Sequence, residues 1–299
     1  MFVERLRSFP IVLEVVPPHR RVTERALTLF VDRVRSAVRS VPHLDALNLP
    51  EILDENHLGK PFYRNMDPRR CSQILSLGHP VETIVNKVVV HLKEEEALER
   101  WLAESMGEYH LSNFVLVGGN SGRFDYGGPS VTEANRMLQK AAGVRRDVAC
   151  GNITIFERPS EVARLLEKTR AGAQFFTSQV IFEPEPATTV LLEYGEACAA
   201  EGLGPATVLL SFAPVADYED VEFLAWLGAN ITAETEDRLL VNGETGAASL
   251  EVARRTWAQV RDAVARSRVP LGVNVEEISH HNFDLAVKMA SEIPTWKAR

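Results

Sequence analysis

Residues 11–18, IVLEVVPP, form a nearly continuous apolar run that carries one carboxylate, Glu14, and ends at two prolines. A short run of aliphatic and β-branched residues is typical of a strand that is buried on both faces, as in a parallel sheet. Burying a carboxylate in such a strand costs folding free energy unless the carboxylate faces a polar space. We therefore predict a parallel strand at 11–16 whose Glu14 points into a polar cavity. Pro17 and Pro18 then fix the direction in which the chain leaves the strand.

Seven further runs of the same kind follow, and longer amphipathic segments separate them. The eight runs are residues 11–16, 45–50, 86–92, 113–119, 147–155, 175–182, 206–212 and 271–279. Strands that alternate with helical segments predict a parallel sheet with crossover helices, and eight such units in 299 residues match a TIM barrel. The predicted fold class is therefore α/β, with residues 1–299 forming one (β/α)8 barrel. An open doubly wound sheet is the rival, but the Gly-rich dinucleotide fingerprint it calls for is missing.

Helical segments are predicted between these runs. They are residues 22–40, 68–77, 93–106, 131–142, 160–171, 187–201, 218–227, 247–267 and 282–292. The acidic stretch at 231–249 contains two glycines and is predicted to be a long connection between the seventh and eighth strands.

Composition and charge restrict the function. The net charge of −8 gives an acidic surface that repels nucleic acids and anionic membranes, so we expect a small-molecule partner. Cys71, Cys150 and Cys198 are odd in number and far apart, which indicates neither a disulfide framework nor a zinc site. No apolar run approaches the ~18 residues of a membrane span, and no signal-peptide pattern is seen. We expect a soluble, cytoplasmic protein.

In a TIM barrel the active site lies at the carboxyl ends of the strands. The residues found at or just after the predicted strand ends are Glu14, Asn48, Glu51, Glu55, His91, Gly118, Gly119, Asn120, Asn152, Thr154, Gln179, Ser211, Phe212, Asn274 and Glu276. Most are uncharged hydrogen-bonding groups, which suit an amide-rich ring such as a pterin or a flavin. Convergent carboxylate and histidine ligands are too few for a metal, so no metal site is predicted.

Several of these residues allow two interpretations. Glu14, if partly desolvated, would have a raised pKa and serve as a proton donor near neutral pH; otherwise it is a surface carboxylate. The Gln179 amide matches the mixed edge of a pterin but would also satisfy backbone groups in a core. The glycines of VGGNSG, 117–122, permit close approach to a ligand or simply a tight turn. Phe212 would stack on a ligand ring or pack the barrel mouth.

Five stretches in this order resemble the methylenetetrahydrofolate reductase family: VLEVVPP, NFVLVGGNSG, KTRAGAQFFTSQVIFEP, VLLSFAPV and PLGVNVEEISHHNFDLAVKMASEI. The resemblance covers almost the whole chain. It implies a TIM barrel that reduces 5,10-methylenetetrahydrofolate to 5-methyltetrahydrofolate, usually with hydride relayed from NAD(P)H through FAD. It also implies that Glu14 is the general acid and that Gln179 contacts pterin or flavin. Phe212 lies beside the position of the aromatic residue that packs on the aminobenzoyl ring.

The departures from the family pattern concern mainly the flavin contacts. The family's L-R-G-D is LVGGNS here, its A-Y-P-E-x-H-P-E is CGNITIFERPSE, and its H-F-Y-T-L-N-R is VEEISHHN. NLPEILDEN and ITIFERPSE instead resemble a divergent actinobacterial branch that works without flavin. In that branch a second glutamate supports the pterin site, which implies Glu55, or Asp54 beside it, with Asn48 and Gln179 orienting the pterin.

The resulting hypothesis is direct reduction of the folate by NADH or NADPH, with Glu14 as proton donor and FAD not favoured. Polar and glycine residues at the ends of the third to fifth strands are predicted to bind the cofactor; they are His91, Gly118, Gly119, Asn120 and Asn152. Three alternatives remain open: an FAD-relayed reaction, a catalytically silent folate-linked accessory subunit, and a reductase that takes electrons from a partner protein. The choice between NADH and NADPH, and between monomer and homodimer, is open as well.

Overall fold

A closed barrel of eight parallel strands lies at the centre of the chain. The structure is a computed structural model, and it describes residues 1–78, 81–94, 96–119, 124–240, 243–279 and 281–296. The barrel strands are β1 (Ile11–Glu14), β2 (Ala46–Leu49), β5 (Thr83–Val88), β6 (Asn113–Val117), β7 (Ala149–Thr154), β8 (Phe175–Val180), β9 (Thr207–Phe212) and β10 (Leu271–Glu276), and a separate hairpin is formed by β3 (Leu53–Glu55) and β4 (Pro61–Tyr63). Around the barrel the strand order is β1-β10-β9-β8-β7-β6-β5-β2, and β2 pairs with β1 to close it. The predicted TIM barrel is confirmed.

Helices connect the strands and cover the barrel from outside. They are α1 (Phe2–Arg5), α2 (Glu24–Ser40), α3 (Pro68–Ser76), α4 (Ala97–Gly107), α5 (Val131–Ala142), α6 (Glu161–Arg170), α7 (Pro184–Ala200), α8 (Tyr218–Trp226), α9 (Ala233–Leu240), α10 (Thr245–Val264) and α11 (Phe283–Trp296). Local sequence explains several starts, because Ser130 and Glu133 form a capping box at α5 and Asp67 caps α3 ahead of Pro68. Within the described ranges, every helix is too short or too polar to cross a membrane.

Three local predictions differ from the structure. The third barrel strand is β5 at Thr83–Val88, earlier than predicted, and Val89–His91 forms a 3-10 turn. The predicted long connection at 231–249 is wrong, because it contains α9 and the start of α10. Acidic residues in the first turn of α9 suit a helix N-terminus, while Thr235 and Leu239, four positions apart, bury one face. The hairpin β3–β4 was not predicted, since its strands are only three residues long.

The lower half of the barrel interior is a dry, tightly packed floor. It consists of Phe2, Leu6, Val12, Ala46, Ile84, Val115, Ala149, Phe175 and Leu209. Helix α1 closes this end, and the ring of Phe2 meets the ring of Phe175 edge-to-face with centroids 5.5 Å apart. A Cβ on Gly151 would lie 2.3 Å from the Phe175 ring, so only glycine leaves room for this ring on the neighbouring strand. The floor thus separates the polar upper interior from solvent below.

We predict that Phe175→Ala lowers the free energy of unfolding by about 3–5 kcal/mol, because it leaves a cavity in a packed barrel floor. Chemical denaturation followed by circular dichroism measures the change. Phe223→Ala is the matched control, since Phe223 is 40% exposed on α8 and packs mainly on Trp226. A loss of about 1 kcal/mol or less is expected there. Equal losses in the two variants would contradict a floor that stabilises the barrel.

Candidate functional site

Above the floor the barrel interior becomes polar on one side. Side chains two positions further along a strand face the same way, so residues that follow the floor residues on β1, β2, β5, β8 and β9 also point inward. Together with two inward residues of β10 they form a polar arc of Glu14, Asn48, Asn86, Thr177, Ser211, Asn274 and Glu276. On the opposite strands β6 and β7, Val117 lies two positions and Ile153 four positions after the floor residue, and both pack on the floor. The interior therefore offers a polar edge facing an apolar wall.

Two carboxyl groups lie side by side in the polar arc. Glu14 of β1 is the register partner of Glu276 of β10. Asn48 Nδ2 donates a hydrogen bond to Glu14 Oε2 at 2.6 Å, and Asn274 Nδ2 donates to Glu276 Oε1 at 3.2 Å and to Ser211 Oγ at 3.1 Å. Both glutamates nevertheless keep partial solvent exposure at the mouth. They are enclosed enough to feel a low dielectric and open enough to meet a ligand.

The environment raises the pKa of both carboxyls. Desolvation is the largest cause for Glu14, the nearby charge of Glu276 is the second, and together they hold its pKa well above the ordinary value. Desolvation likewise raises the pKa of Glu276 to about 7, although Ser211 and Asn274 oppose the shift through hydrogen bonds. Both carboxyls therefore hold a proton to higher pH than ordinary glutamates do, and the role of Glu14 as proton donor stays a prediction.

Several buried polar atoms of the polar arc have no hydrogen-bond partner in the described structure. They are Asn48 Oδ1, Asn86 Oδ1, Thr177 Oγ1 and Asn274 Oδ1. Three of the four are amide oxygens, which only accept hydrogen bonds. Buried polar atoms in native proteins are almost always paired, so these acceptors indicate a ligand or ordered water that brings donors.

A second cluster, the rim cluster, brings together two predicted site residues and one that was not predicted: Glu55, His91 and Tyr126. The Glu55 carboxylate bonds His91 Nε2 at 2.9 Å through Oε1 and accepts from Tyr126 Oη at 3.1 Å through Oε2. The rings of His91 and Tyr126 meet edge-to-face. His91 Nδ1 is buried without a partner in the described structure. Among the described residues no group of three or more His, Cys, Asp or Glu side chains could hold a metal ion.

The hairpin β3–β4 is anchored to the barrel rim by two glutamates. Glu55 joins it to the rim cluster, and Glu51, just before the hairpin, pairs with Lys87 Nζ at 2.6 Å and accepts from Val88 N–H at 2.8 Å. The Lys87 and Glu51 side chains are 8% and 10% exposed, so this ion pair is largely shielded from water. The anchors fix the hairpin beside the ends of β2 and β5.

The predicted glycine loop has a packing role at the end of β6. A Cβ on Gly119 would lie 2.1 Å from Cε2 of Tyr126, and one on Gly118 would lie 3.3 Å from Cγ2 of Val131. The absence of a side chain at 119 therefore lets the Tyr126 ring lie against the backbone. Asn120, predicted in the same loop, lies outside the described residues.

Gln179 lies at the carboxyl end of β8, beyond a register irregularity between Thr177 and Val180. Its Nε2 donates to the carbonyl oxygen of Leu227 at 2.9 Å, at the end of α8. The side chain is half-buried at the mouth. Its role in binding a pterin stays a prediction.

Two predicted site residues face away from the barrel interior. Asn152 bonds to Asn135 of α5 and donates to the carbonyl oxygen of Leu116, so it joins β7 to the helix layer. Phe212 is 1% exposed and meets the ring of Trp296 of α11. Both predictions are corrected for the same reason: strand alternation places these side chains on the outer face, where a ligand in the mouth cannot touch them.

Five polar-arc residues were not selected from the sequence as site residues: Asn86, Thr177, Ser211, Asn274 and Glu276. The last three stood at predicted strand ends, and counting two positions from an inward residue would have selected them. Asn86 was hidden because the third strand was expected to begin there instead of at Thr83.

Comparisons with known proteins concern the fold. No protein-family model matches the chain, and no curated protein matches it. A solved structure of an uncharacterized protein from Clostridium thermocellum, which binds two copies of 5-methyl-5,6,7,8-tetrahydrofolic acid, has a TM-score of 0.79 and 18% identity over 99% of both chains. The two chains share one fold. The spore cortex-lytic enzyme SleL of Bacillus cereus is similar at a TM-score of 0.52 and 11% identity, over 95% of this chain and 74% of that one.

We predict that stability falls as the pH rises from about 5 to about 8. Folding raises the pKa values of three carboxyls, those of Glu14, Glu276 and Glu277. In this pH range the folded chain therefore binds more protons than the unfolded chain, and stability is lost as these carboxyls ionise. Glu276→Gln should weaken this dependence by up to about 3 kcal/mol, since one unit of pKa difference corresponds to about 1.4 kcal/mol. Urea denaturation at a series of pH values measures it. Glu234→Gln, at a 75% exposed carboxylate, is the control and should follow the wild type.

Proposed function

We propose that this protein binds a reduced folate in the barrel mouth and reduces 5,10-methylenetetrahydrofolate to 5-methyltetrahydrofolate with hydride from NADH or NADPH. The observation that carries the proposal is the polar arc, in which a protonatable carboxyl pair is surrounded by buried acceptors that have no partner among the described residues. The sequence resemblance to methylenetetrahydrofolate reductases points to the same chemistry.

A pterin matches the polarity of the upper barrel interior. Its ring is flat, with apolar faces and an edge rich in N–H donors, and the interior has an apolar wall at Val117 and Ile153 opposite the polar arc. The amide oxygens of Asn48, Asn86 and Asn274 are acceptors for such donors. The similar protein from Clostridium thermocellum binds 5-methyl-5,6,7,8-tetrahydrofolic acid, which is the product of the proposed reaction.

Glu14 supplies the proton that the reaction consumes. As the bond between the methylene carbon and N10 breaks, the proton moves from the Glu14 carboxyl to N10, and the carbon stays on N5 as an electrophilic iminium. A nicotinamide bound next to the pterin supplies the hydride that reduces this carbon to a methyl group. Asn48, which donates to Glu14 Oε2, orients the carboxyl and stabilises the carboxylate that remains.

The end of β6 does not suit a flavin, so no flavin step belongs to the proposal. The resemblance places an arginine and an aspartate of the family near this strand end, where the chain has LVGGNS. The ring of Tyr126 occupies the space that a side chain at Gly119 would need. This packing supports direct hydride transfer over an FAD relay.

A folate-binding protein without catalysis is the second candidate. The specific observation in its favour is that the similar protein from Clostridium thermocellum binds the methylated product, 5-methyl-5,6,7,8-tetrahydrofolic acid. Calorimetry with 5-methyltetrahydrofolate, together with an assay of NADH oxidation by methylenetetrahydrofolate, separates the two. Binding accompanied by oxidation supports the reductase, and binding without oxidation by either nicotinamide supports the second candidate.

We expect Glu14→Gln to lower kcat by about 10²–10⁴-fold, the usual contribution of a general acid, while folate affinity changes little. Glutamine keeps the shape and accepts hydrogen bonds but has no proton to give. Steady-state kinetics with methylenetetrahydrofolate and calorimetry with the methylated product measure the two effects. Glu234→Gln on the exposed face of α9 is again the control. A Glu14→Gln enzyme with wild-type turnover would exclude Glu14 as the acid.

We expect Asn86→Leu to weaken folate binding by about 10-fold or more, because the loss of one buried acceptor leaves a ligand donor unpaired. The same change should leave the unfolding temperature unchanged or raised, since it removes a buried amide oxygen that has no partner in the described structure. Thermal denaturation measures the unfolding temperature, and calorimetry on the same preparation measures the affinity for the folate. Unchanged affinity would place the ligand elsewhere.

A further inference from the structure

Glu276 stands next to Glu14 at the seam where the first and last barrel strands meet. The two residues are register partners of β1 and β10. Glu277 N–H donates to the Glu14 carbonyl oxygen at 3.3 Å, so the backbone holds the strands together at this point. The side chains of Glu14 and Glu276 both belong to the polar arc. The sequence pattern alone gives Glu276 no role, and the proposed proton donation does not use it.

In the described part of the chain, the groups that act most strongly on the two carboxyls are hydrogen-bond donors and other carboxyls. Asn48 of β2 donates to Glu14, and Asn274 of β10 donates to Glu276. Ser211 of β9 also contributes a hydrogen bond that favours ionised Glu276. The charged groups that act on Glu14 are Glu276 and Glu277, and both are carboxylates. Arg33 acts on Glu277.

Ionising both carboxyls in this position would cost a large free energy. Desolvation raises the energy of each charge, and an adjacent like charge raises it again. One proton then belongs to the pair, and the two groups titrate in two separate steps. The amide donors allow either carboxyl to carry the negative charge, because Asn48 donates to Glu14 and Asn274 forms hydrogen bonds with both carboxyls.

We propose that Glu276 is a positioning residue that shares one proton with Glu14 and keeps that proton on Glu14 until the substrate takes it. The inference rests on the proposed function for its chemical step only. When the proton moves from Glu14 to N10, both carboxyls are negative and face the cationic iminium, which they stabilise. After the iminium carbon accepts hydride, the positive charge is gone and the pair takes one proton back from water at the mouth. The net reaction consumes one proton and one hydride.

The first test measures titration and does not need enzymatic activity. Protein labelled with 13C at the glutamate carboxyl carbon is titrated by NMR, in a Glu277→Gln background because Glu277 also has a pKa of about 7. Glu14→Gln and Glu276→Gln assign the two signals. We expect two steps more than one pH unit apart in the parent protein, and a single step in each variant. In Glu276→Gln the step of Glu14 should move down by at least one pH unit.

The second test follows the pH dependence of kcat. Activity that requires protonated Glu14 declines as the pH rises, and Glu276→Gln should shift this decline down by one pH unit or more. The loss of kcat in the variant should then be about 10-fold larger near pH 8 than near pH 5, where Glu14 is protonated in both proteins. Glu276→Asp retains a carboxylate and should restore most of the parent profile. Glu234→Gln should leave the profile unchanged.

The two tests distinguish failure of this inference from failure of the proposed function. Two separate carboxyl steps in a protein that oxidises neither NADH nor NADPH would retain the proton-sharing pair and reject the reductase. A Glu14 step at the same pH in the parent and in Glu276→Gln would overturn the pair, even in an active enzyme. If Glu276→Gln does not fold, the parent titration decides alone, because two coincident steps contradict a shared proton.

Discussion

The register between the first and last barrel strands is the constraint on which the site depends. Closing the barrel sets Glu14 of β1 against Glu276 of β10, and two hydrogen bonds hold that register: Glu277 N–H donates to the Glu14 carbonyl oxygen, and Val16 N–H donates to the Glu277 carboxylate. A slip of one residue would turn Glu14 onto the outer face, where the helices pack. Barrel closure therefore also brings together the two carboxyls at the mouth.

The dry floor makes the polar arc effective. Phe2 of α1 and Phe175 of β8 fill the bottom of the barrel, so water reaches the carboxyls from the mouth only. In that surrounding the desolvation that raises the carboxyl pKa values also strengthens each hydrogen bond from Asn48 and Asn274. Amide oxygens that lack a partner among the described residues lower stability, and such a cost is typical of a site organised for a ligand.

The hairpin after β2 extends the site beyond the strand ends. Glu51 and Glu55 anchor it to Lys87 and to the rim cluster, so a short element that would be marginal alone is fixed by buried polar contacts. The resemblance implied that Glu55 supports a pterin. The structure shows that its carboxylate is held by His91 and Tyr126, which gives it a defined orientation at the rim.

The sequence by itself determined the barrel, its eight strands and the inward carboxylate Glu14, because buried parallel strands have a local signature that needs no knowledge of their neighbours. Tertiary structure decided which polar residues share the interior. Asn152 and Phe212 lie near strand ends, as Asn48 does, yet their side chains face the helix layer. The face that a side chain takes depends on the exact bounds of its strand, and the sequence predicts those bounds only to within a few residues. The partnership of Glu14 with Glu276 arises from closure between the two ends of the chain. No local pattern encodes that pairing, since it exists only when the last strand closes the barrel against the first.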